Sequence, residues 1–251
     1  MIAIKTEKEI ETMKAGGKIL ARVLKLVAAA VRPGIGTKEL NQIAEQEIIQ
    51  AGGFPIFKGY HGFPTGLCVS VDDEVVHGPA LPNRQLQEGS LVGLDLGIRY
   101  PAKNGLITDM AVSVPVGKIS PAAQKLLQVT ESVLYAAIKN IKAGIHLGDI
   151  SFAIQTAVEK NGFNVVRELV GHGVGEKLHE EPQIPNYGLL GSGPILASGM
   201  TLAIEPMVVA GDFDLIIDPQ NKAYKTADGS LSAHFEHTIL VTEHGFEILT
   251  Q

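Results

Sequence analysis

The sequence has no tryptophan and only one cysteine, Cys68. Intramolecular disulfides and cysteine-based zinc sites are therefore excluded. No apolar run approaches the roughly 18 residues of a membrane span. Met1 to Arg22 alternates charged and apolar residues, without the apolar centre of a signal peptide. Lys and Arg form no block, and 21 of them against 27 Asp and Glu leave a net charge of −6. That balance offers no footprint for direct nucleic-acid readout. The chain lacks Gly-x-Ser-x-Gly, which disfavours a serine hydrolase. It also lacks a P-loop, since Gly17-Lys18 and Gly117-Lys118 are each followed by Ile, and it has no His-Glu-x-x-His zinc motif. A cytoplasmic, membrane-free protein is the expectation. What is present in excess is glycine: 28 of 251 residues is about 11%, against an ordinary ~7%, so tight turns and close approaches are needed.

The order of elements follows from periodicity and punctuation. Thr6-x-x-Glu9 is a capping box opening a helix through Met13, Leu20, Leu24 and Val27, which Pro33-Gly34 ends. Thr37 is placed to cap a second helix with Leu40, Ile43, Ala44 and Ile48 on its apolar face, stopped by Gly52-Gly53. Ser120-Pro121 starts a third, running through Leu126, Val129, Val133 and Ile138 to an end near Gly144. Asp149 is placed to cap a fourth, which Gly162 closes. The second helix pair repeats the first at a displacement of 110 residues: Gly34 falls on Gly144, Leu40 on Ile150, Ile48 on Val158, Gly52 on Gly162 and Asp95 on Glu205. One α+β domain over residues 1–251 is expected, with pseudo-repeat halves of about 1–117 and 118–251. Leu67–Val71, Leu91–Ile98, Leu106–Val116, Met200–Val209 and His234–Thr242 read as strands. Asn104-Gly105 marks a turn that makes Leu91–Ile98 and Leu106–Val116 an antiparallel hairpin.

Four acids are embedded in apolar strands: Asp95, Asp109, Glu205 and Glu236. An isolated buried carboxylate costs several kcal/mol and tends to protonate instead. One such acid is usually an edge residue or a paired structural charge. Four, with few Lys or Arg beside them, are explained more simply by a cation that neutralises them together. A five-residue turn, Pro101–Gly105, pairs Gly97 with Asp109, which puts Asp95 on the same face and diagonal to Asp109 at roughly 7 Å. Gly171-His172-Gly173-Val174-Gly175 supplies a candidate nitrogen ligand, with glycines that allow close approach to the imidazole; alone, it reads equally as an oxyanion loop or a turn.

Asp95, Asp109, His172, Glu205 and Glu236 together resemble the ordered ligand set of the methionine aminopeptidases. So do the strings Gly-His-Gly-Val-Gly, Ala-Ile-Glu-Pro-Met and Ser-Leu-Ser-Ala-His-Phe-Glu-His-Thr, with Gly59-Tyr60-His61-Gly62-Phe63-Pro64 and Val75-Val76-His77-Gly78 earlier in the chain. The resemblance covers essentially the whole sequence and implies the pita-bread fold: two pseudo-symmetric halves, each with two helices packed on a curved antiparallel sheet. Only 33 residues separate His172 from Glu205, which leaves no room for a type II insertion and points to type I. The family implies removal of initiator methionine from nascent chains with a small second residue, by hydroxide held between two divalent ions (Mn, Fe(II), Co or Zn). It implies that Asp109 and Glu236 bridge the ions, Asp95 holds one, and His172 with Glu205 holds the other.

By the same resemblance, Glu205 carries a proton, His77 and His179 orient substrate and stabilise the tetrahedral charge, and Tyr60, Phe63 and Cys68 line the methionine pocket. Leu178 and Lys222 depart from the family pattern, which often has an aromatic and a Trp there. A monomer that touches the ribosome transiently, through Lys222 and Lys225, is expected. Two alternatives stand: a proline-directed peptidase of the same fold, whose extra N-terminal domain has no space before Thr6, and a non-catalytic peptide-binding module.

Overall fold

Thr6 caps the first helix as its sequence requires. Its hydroxyl accepts from Glu9 N at 3.4 Å while the Glu9 carboxylate accepts from Thr6 N at 2.7 Å. In this computed structural model, which describes residues 2–251 and leaves Met1 outside, that box opens α1 (Glu7–Ala30). The buried face of α1 is Met13, Gly16, Gly17, Leu20, Val23, Leu24 and Val27. Next come α2 (Thr37–Gln50), then, after the first strands, α3 (Pro121–Ile138) and α4 (Leu147–Lys160). Ser120 caps α3 by accepting from Ala123 N at 3.1 Å. That helix stops at Ile138, short of the expected Gly144, because Lys139 to Ile141 tighten into turns and Gly144 N is bonded to Leu196 O.

Two expected caps are displaced. Thr37 is the first residue of α2, not its cap; its hydroxyl donates to Ala80 O at 2.7 Å and accepts from Arg84 N at 3.0 Å. Asp149 is the third residue of α4, where its carboxylate reaches back to His146 N at 3.2 Å. In both cases a neighbouring segment fixes the preceding residue: Gly36 bridges Gln85, and His146 bridges Ile195. These bridges are themselves 110 residues apart. The same displacement relates Gly34 N→Leu86 O to Gly144 N→Leu196 O, both 2.8 Å. Gly34 and Gly144 have φ of +82° and +90° with open space where a Cβ would sit, so the left-handed turn, not crowding, calls for glycine.

The strands in chain order are β1 (Phe54–Pro55), β2 (Leu67–Val71), β3 (Glu74–Val76), β4 (Leu91–Tyr100), β5 (Leu106–Pro115), β6 (Asn164–Val165), β7 (Val170–Gly173) and β8 (Glu180–Pro185). They continue as β9 (Thr201–Ile204), β10 (Met207–Val209), β11 (Leu215–Ile217), β12 (Tyr224–Thr226), β13 (Ser232–His234), β14 (Glu236–Val241) and β15 (Phe246–Ile248). Nine form one antiparallel sheet of order β1-β4-β5-β14-β9-β7-β8, with β2 paired to β4 and β15 to β14. The strands that follow the two helix pairs thus run on into a single sheet through β5 and β14. Helices α1 and α2 cover one part of it over Leu20, Leu24, Leu40, Leu94 and Ile98; α3 and α4 cover the other over Leu126, Ile150, Ile154, Leu202 and Ile239.

The predicted hairpin has the predicted register, Tyr100 opposite Leu106 and Gly97 opposite Asp109. Two other strands expected to be continuous are broken. Met200–Val209 divides at Glu205-Pro206, where proline has no N–H to give a ladder. His234–Thr242 divides at Phe235. Beyond the breaks, β10 and β13 pair with each other in a separate three-stranded sheet with β6. Glu205 and Glu236 therefore sit where two sheets part, which opens a cleft beside them.

Candidate metal centre and substrate cavity

Register alone brings the acids to one face. Cys68 is opposite Asp95, Asp95 opposite Ala111, and Ala111 opposite Glu236. Asp109 is two residues from Ala111 and so shares its face. On the far side His172 is opposite Ala203, two residues before Glu205. The small side chains of Ala111 and Ala203 leave room above the sheet between these polar groups. Asp109, His172 and Glu236 offer ligand atoms that all lie within 4.8 Å of one another. Asp109, Glu236 and His172 are buried, whereas Asp95 and Glu205 are half-buried and open on the cavity.

The chemistry of these groups is that of a cation site. Burial, then the neighbouring carboxylates, raises Asp95, Glu205 and Glu236 well above the ordinary carboxylate range, and burial lifts Asp109 to about 7. Asp95 Oδ1 and Glu236 Oε1 are buried with no hydrogen-bond partner. Among the described residues, no Lys or Arg forms a salt bridge with any of the four. Buried polar atoms in a native structure ordinarily have partners, so these orphans mark places for an ion. His172 is prepared in the same sense. A carbonyl only accepts, so the 2.9 Å contact of Nδ1 with Gly173 O puts the proton on Nδ1 and leaves Nε2 as a free ligand atom. Burial, with His179 nearby, lowers His172 to about 3, keeping it neutral. Four carboxylates and one neutral imidazole fit divalent ions.

The flanking glycines serve a purpose different from the one expected. A Cβ on Gly171 would lie 2.5 Å from Ala203 O, and one on Gly173 would collide with Glu181 O. They admit the backbones of β9 and β8, not a group approaching the imidazole.

All ten sequence-predicted site residues line one cavity of about 520 Å³: Tyr60, Phe63, Cys68, His77, Asp95, Asp109, His172, His179, Glu205 and Glu236. Tyr60 OH lies 2.9 Å from His179 Nδ1, and the His179 ring stands edge-on to His172 with centroids 4.5 Å apart. Tyr60, Phe63, Cys68, Phe57 and Leu178 form one apolar cluster on the wall. Burial and the Asp95 and Asp109 charges push the Cys68 thiol well up, so it is a neutral wall. His77 faces the cavity from a left-handed backbone, φ +59°, and burial of its ring with His179 nearby lowers it to about 4. Lys222 is at the rim, while Lys225 is paired with Asp73 at 2.8 Å.

Sequence reasoning missed His234. It is buried, and its unpartnered Nε2 lies 3.5 Å from Glu205 Oε2, opposite the 3.5 Å approach of His172 Nε2 to Oε1. Its spacing of two from Glu236 was the available signal, and the strand break at Phe235 concealed it.

A model of metallopeptidase family M24 matches residues 11–243. The chain belongs to this family. It is 49% identical over 252 residues to methionine aminopeptidase 1 of Bacillus subtilis, with all of both chains covered. Its fold matches that of a methionine aminopeptidase from Thermotoga maritima at TM-score 0.97 and 48% identity, again over the whole of both chains. A prolidase from Pyrococcus horikoshii matches at TM-score 0.76 and 20% identity, with 63% of that chain covered, a likeness of fold alone. The architecture is thus the pita-bread fold of M24, the enzyme is a hydrolase of the metallopeptidase class, and the carboxylate–histidine cluster is compatible with its divalent metal.

Proposed function

We propose that this chain is a type I methionine aminopeptidase. It removes the initiator methionine from nascent proteins whose second residue is small. The observation that carries the reading is the convergence of four carboxylates and one neutral imidazole beside an apolar cup in a single cavity. Full-length likeness to methionine aminopeptidases supports it. Asp109 and Glu236 would hold two divalent ions in common, Asp95 one of them, and His172 with Glu205 the other; Mn, Fe(II), Co and Zn all suit this donor set. Such ions, when bound, acidify water and polarise a carbonyl.

The chain's own groups do the rest. A free α-amine offers a lone pair that the ions held by these residues would take, and an acylated N-terminus has none to offer. Glu205, half-buried and open on the cavity, takes a proton and delivers it to the leaving amine. His179, with Nδ1 engaged by Tyr60, and His77, lowered by burial and His179, orient the peptide and stabilise charge on its carbonyl oxygen. Tyr60, Phe63 and Cys68, with Leu178, accept the thioether side chain.

This reading treats residues 1–251 as one catalytic domain with halves of about 1–117 and 118–251. It makes the enzyme a cytoplasmic monomer that meets nascent chains at the ribosome, where Lys222 is the freer of the two candidate lysines. Fold likeness to prolidase adds no argument for proline-directed cleavage, and a peptide-binding module has no need of so many convergent carboxylates. The deciding assay compares Met-Ala-Ser, Leu-Ala-Ser and N-acetyl-Met-Ala-Ser. Only the first is cleaved efficiently; equal cleavage of all three overturns the proposal. Glu205→Gln lowers turnover by about 10²–10⁴-fold with an unchanged circular dichroism spectrum.

A further inference from the structure

Before α1 begins, Lys5 is buried against segments from the second half of the chain. The residue is 6% exposed, and its Nζ lies 2.7 Å from Glu180 Oε2, a partner 175 residues away. Lys5 N donates to Gly199 O at 2.8 Å, which fixes the backbone from which the side chain departs. The stem lies flat on Gly175: a Cβ there would collide with Lys5 Cε and come within 2.8 Å of Nζ. The slot is therefore shaped for this lysine, and glycine is required at 175 by close approach.

Glu180 has a second task. Its other oxygen, Oε1, accepts from Lys177 N at 3.0 Å, and Gly175 N donates to Lys177 O at 3.1 Å. The turn between β7 and β8 is closed on itself through Glu180, and Glu180 is tied to the N-terminal segment through Lys5. Between Lys177 and Glu180 stand Leu178, buried in the apolar cluster that includes Cys68 and is flanked by Tyr60 and Phe63, and His179, bonded to Tyr60 OH. Neither member of the ion pair itself lines the cavity. A buried ion pair adds little net stability compared with an apolar pair of similar volume, but it fixes geometry.

We infer that Lys5 is a positioning residue for the substrate cavity: through Glu180 it holds the 177–180 turn so that Leu178 and His179 form the wall against the methionine side chain. This rests on the proposed function for the meaning of that wall, though not for the tether itself. A role in stability alone would lower the folded fraction and leave KM and side-chain selectivity unmoved. Loss of a tether moves both, because Leu178 and His179 shift relative to Tyr60.

The test uses zinc-loaded enzyme and Lys5→Met, which keeps the length of the side chain and removes its charge. KM for Met-Ala-Ser rises at least fivefold, and the preference for Met-Ala-Ser over Leu-Ala-Ser falls by a similar factor, with zinc content unchanged. The ¹⁵N resonance of His179 Nδ1 moves as its bond to Tyr60 loosens. Lys5→Met with Glu180→Gln removes the unpaired charge, is read in the same way should the single variant fail to fold, and shows the same raised KM. Glu180→Gln alone turns one of the two accepting oxygens into an NH2 donor, so the Lys5 or the Lys177 contact is lost and KM rises in the same direction. KM, selectivity and the His179 resonance all unchanged in the folded Lys5 variants overturn the inference. A parent enzyme that fails to cleave Met-Ala-Ser overturns the proposed function instead, and the His179 resonance still decides the tether.

Discussion

Asp109 keeps its place through a hydroxyl that belongs to another strand. Thr238 Oγ1 accepts from Asp109 N at 2.9 Å and donates to Asp109 O at 2.8 Å, filling in where the β5–β14 ladder ends at His237 opposite Met110. Thr238 is fully buried, so no water replaces it. Thr238→Val keeps the shape and leaves both backbone groups of Asp109 unsatisfied. At about 1–3 kcal/mol per unsatisfied group, a loss of roughly 2–6 kcal/mol follows, visible as a lower urea midpoint with an unchanged slope. A midpoint equal to that of the parent contradicts the role. At this scale the sequence was partly legible. Strand parity put Asp95 and Asp109 on one face because it needs only the length of one turn. Thr238 and His234 stayed hidden because their meaning depends on which distant strands become neighbours, and local pattern does not encode that.

Among the elements, α1 shows propensity and packing in opposition. Gly16 and Gly17 lie in the middle of a 24-residue helix, where glycine costs about 1 kcal/mol each relative to alanine. Propensity alone makes Gly17→Ala stabilising. Packing reverses the sign, since a Cβ on Gly17 would collide with the Leu249 carbonyl, which is backbone and cannot rotate away. Gly17→Ala is expected to destabilise by about 1–3 kcal/mol net, measured by urea unfolding; a gain in stability shows that the C-terminal segment yields. Gly52→Ala is the contrasting case. Its φ of +82° with no atom within 4 Å leaves only the left-handed penalty, about 1–2 kcal/mol. The ends of α1 were readable because a capping box is local. The starts of α2 and α4 were misread by one or more residues because the bridges Gly36–Gln85 and His146–Ile195 fix them from outside.

The proposed metal ligands link the whole molecule. Asp95 and Asp109 lie in strands after the first helix pair, His172 and Glu236 in strands after the second, and Glu205 in the break between β9 and β10. The 110-residue displacement was visible in the sequence; fusion of the strands into one sheet was not, since the β5–β14 pairing leaves no mark on spacing. Stability is thereby coupled to pH and to metal. In chelator-treated protein the four carboxylates have folded pKa values raised by burial and mutual repulsion, Asp109 to about 7 and the others well above the ordinary carboxylate range. A raised carboxylate binds more protons folded than unfolded, so its stability is greatest below the unfolded value near 4 and is lost as pH rises through the folded value. Histidines lowered by burial oppose this below about pH 6.5: His77 and His237 at about 4, His172 and His234 at about 3. Above pH 7 the histidines are neutral in both states and cease to contribute. The window from pH 7 to 8.5 therefore removes the histidine contribution and leaves the carboxylates, with the raised Cys68 thiol acting in the same direction in both metal-loaded and chelated protein. There the Tm of chelated protein falls as pH rises, since a raised carboxylate still titrating contributes up to about 1.4 kcal/mol per unit. Metal-loaded protein, whose ligands are deprotonated in the bound state, stays nearly flat, so the gap between the two melting curves widens with pH. A gap that is constant or narrows from pH 7 to 8.5 contradicts the assignment of these four acids to one shared cation site.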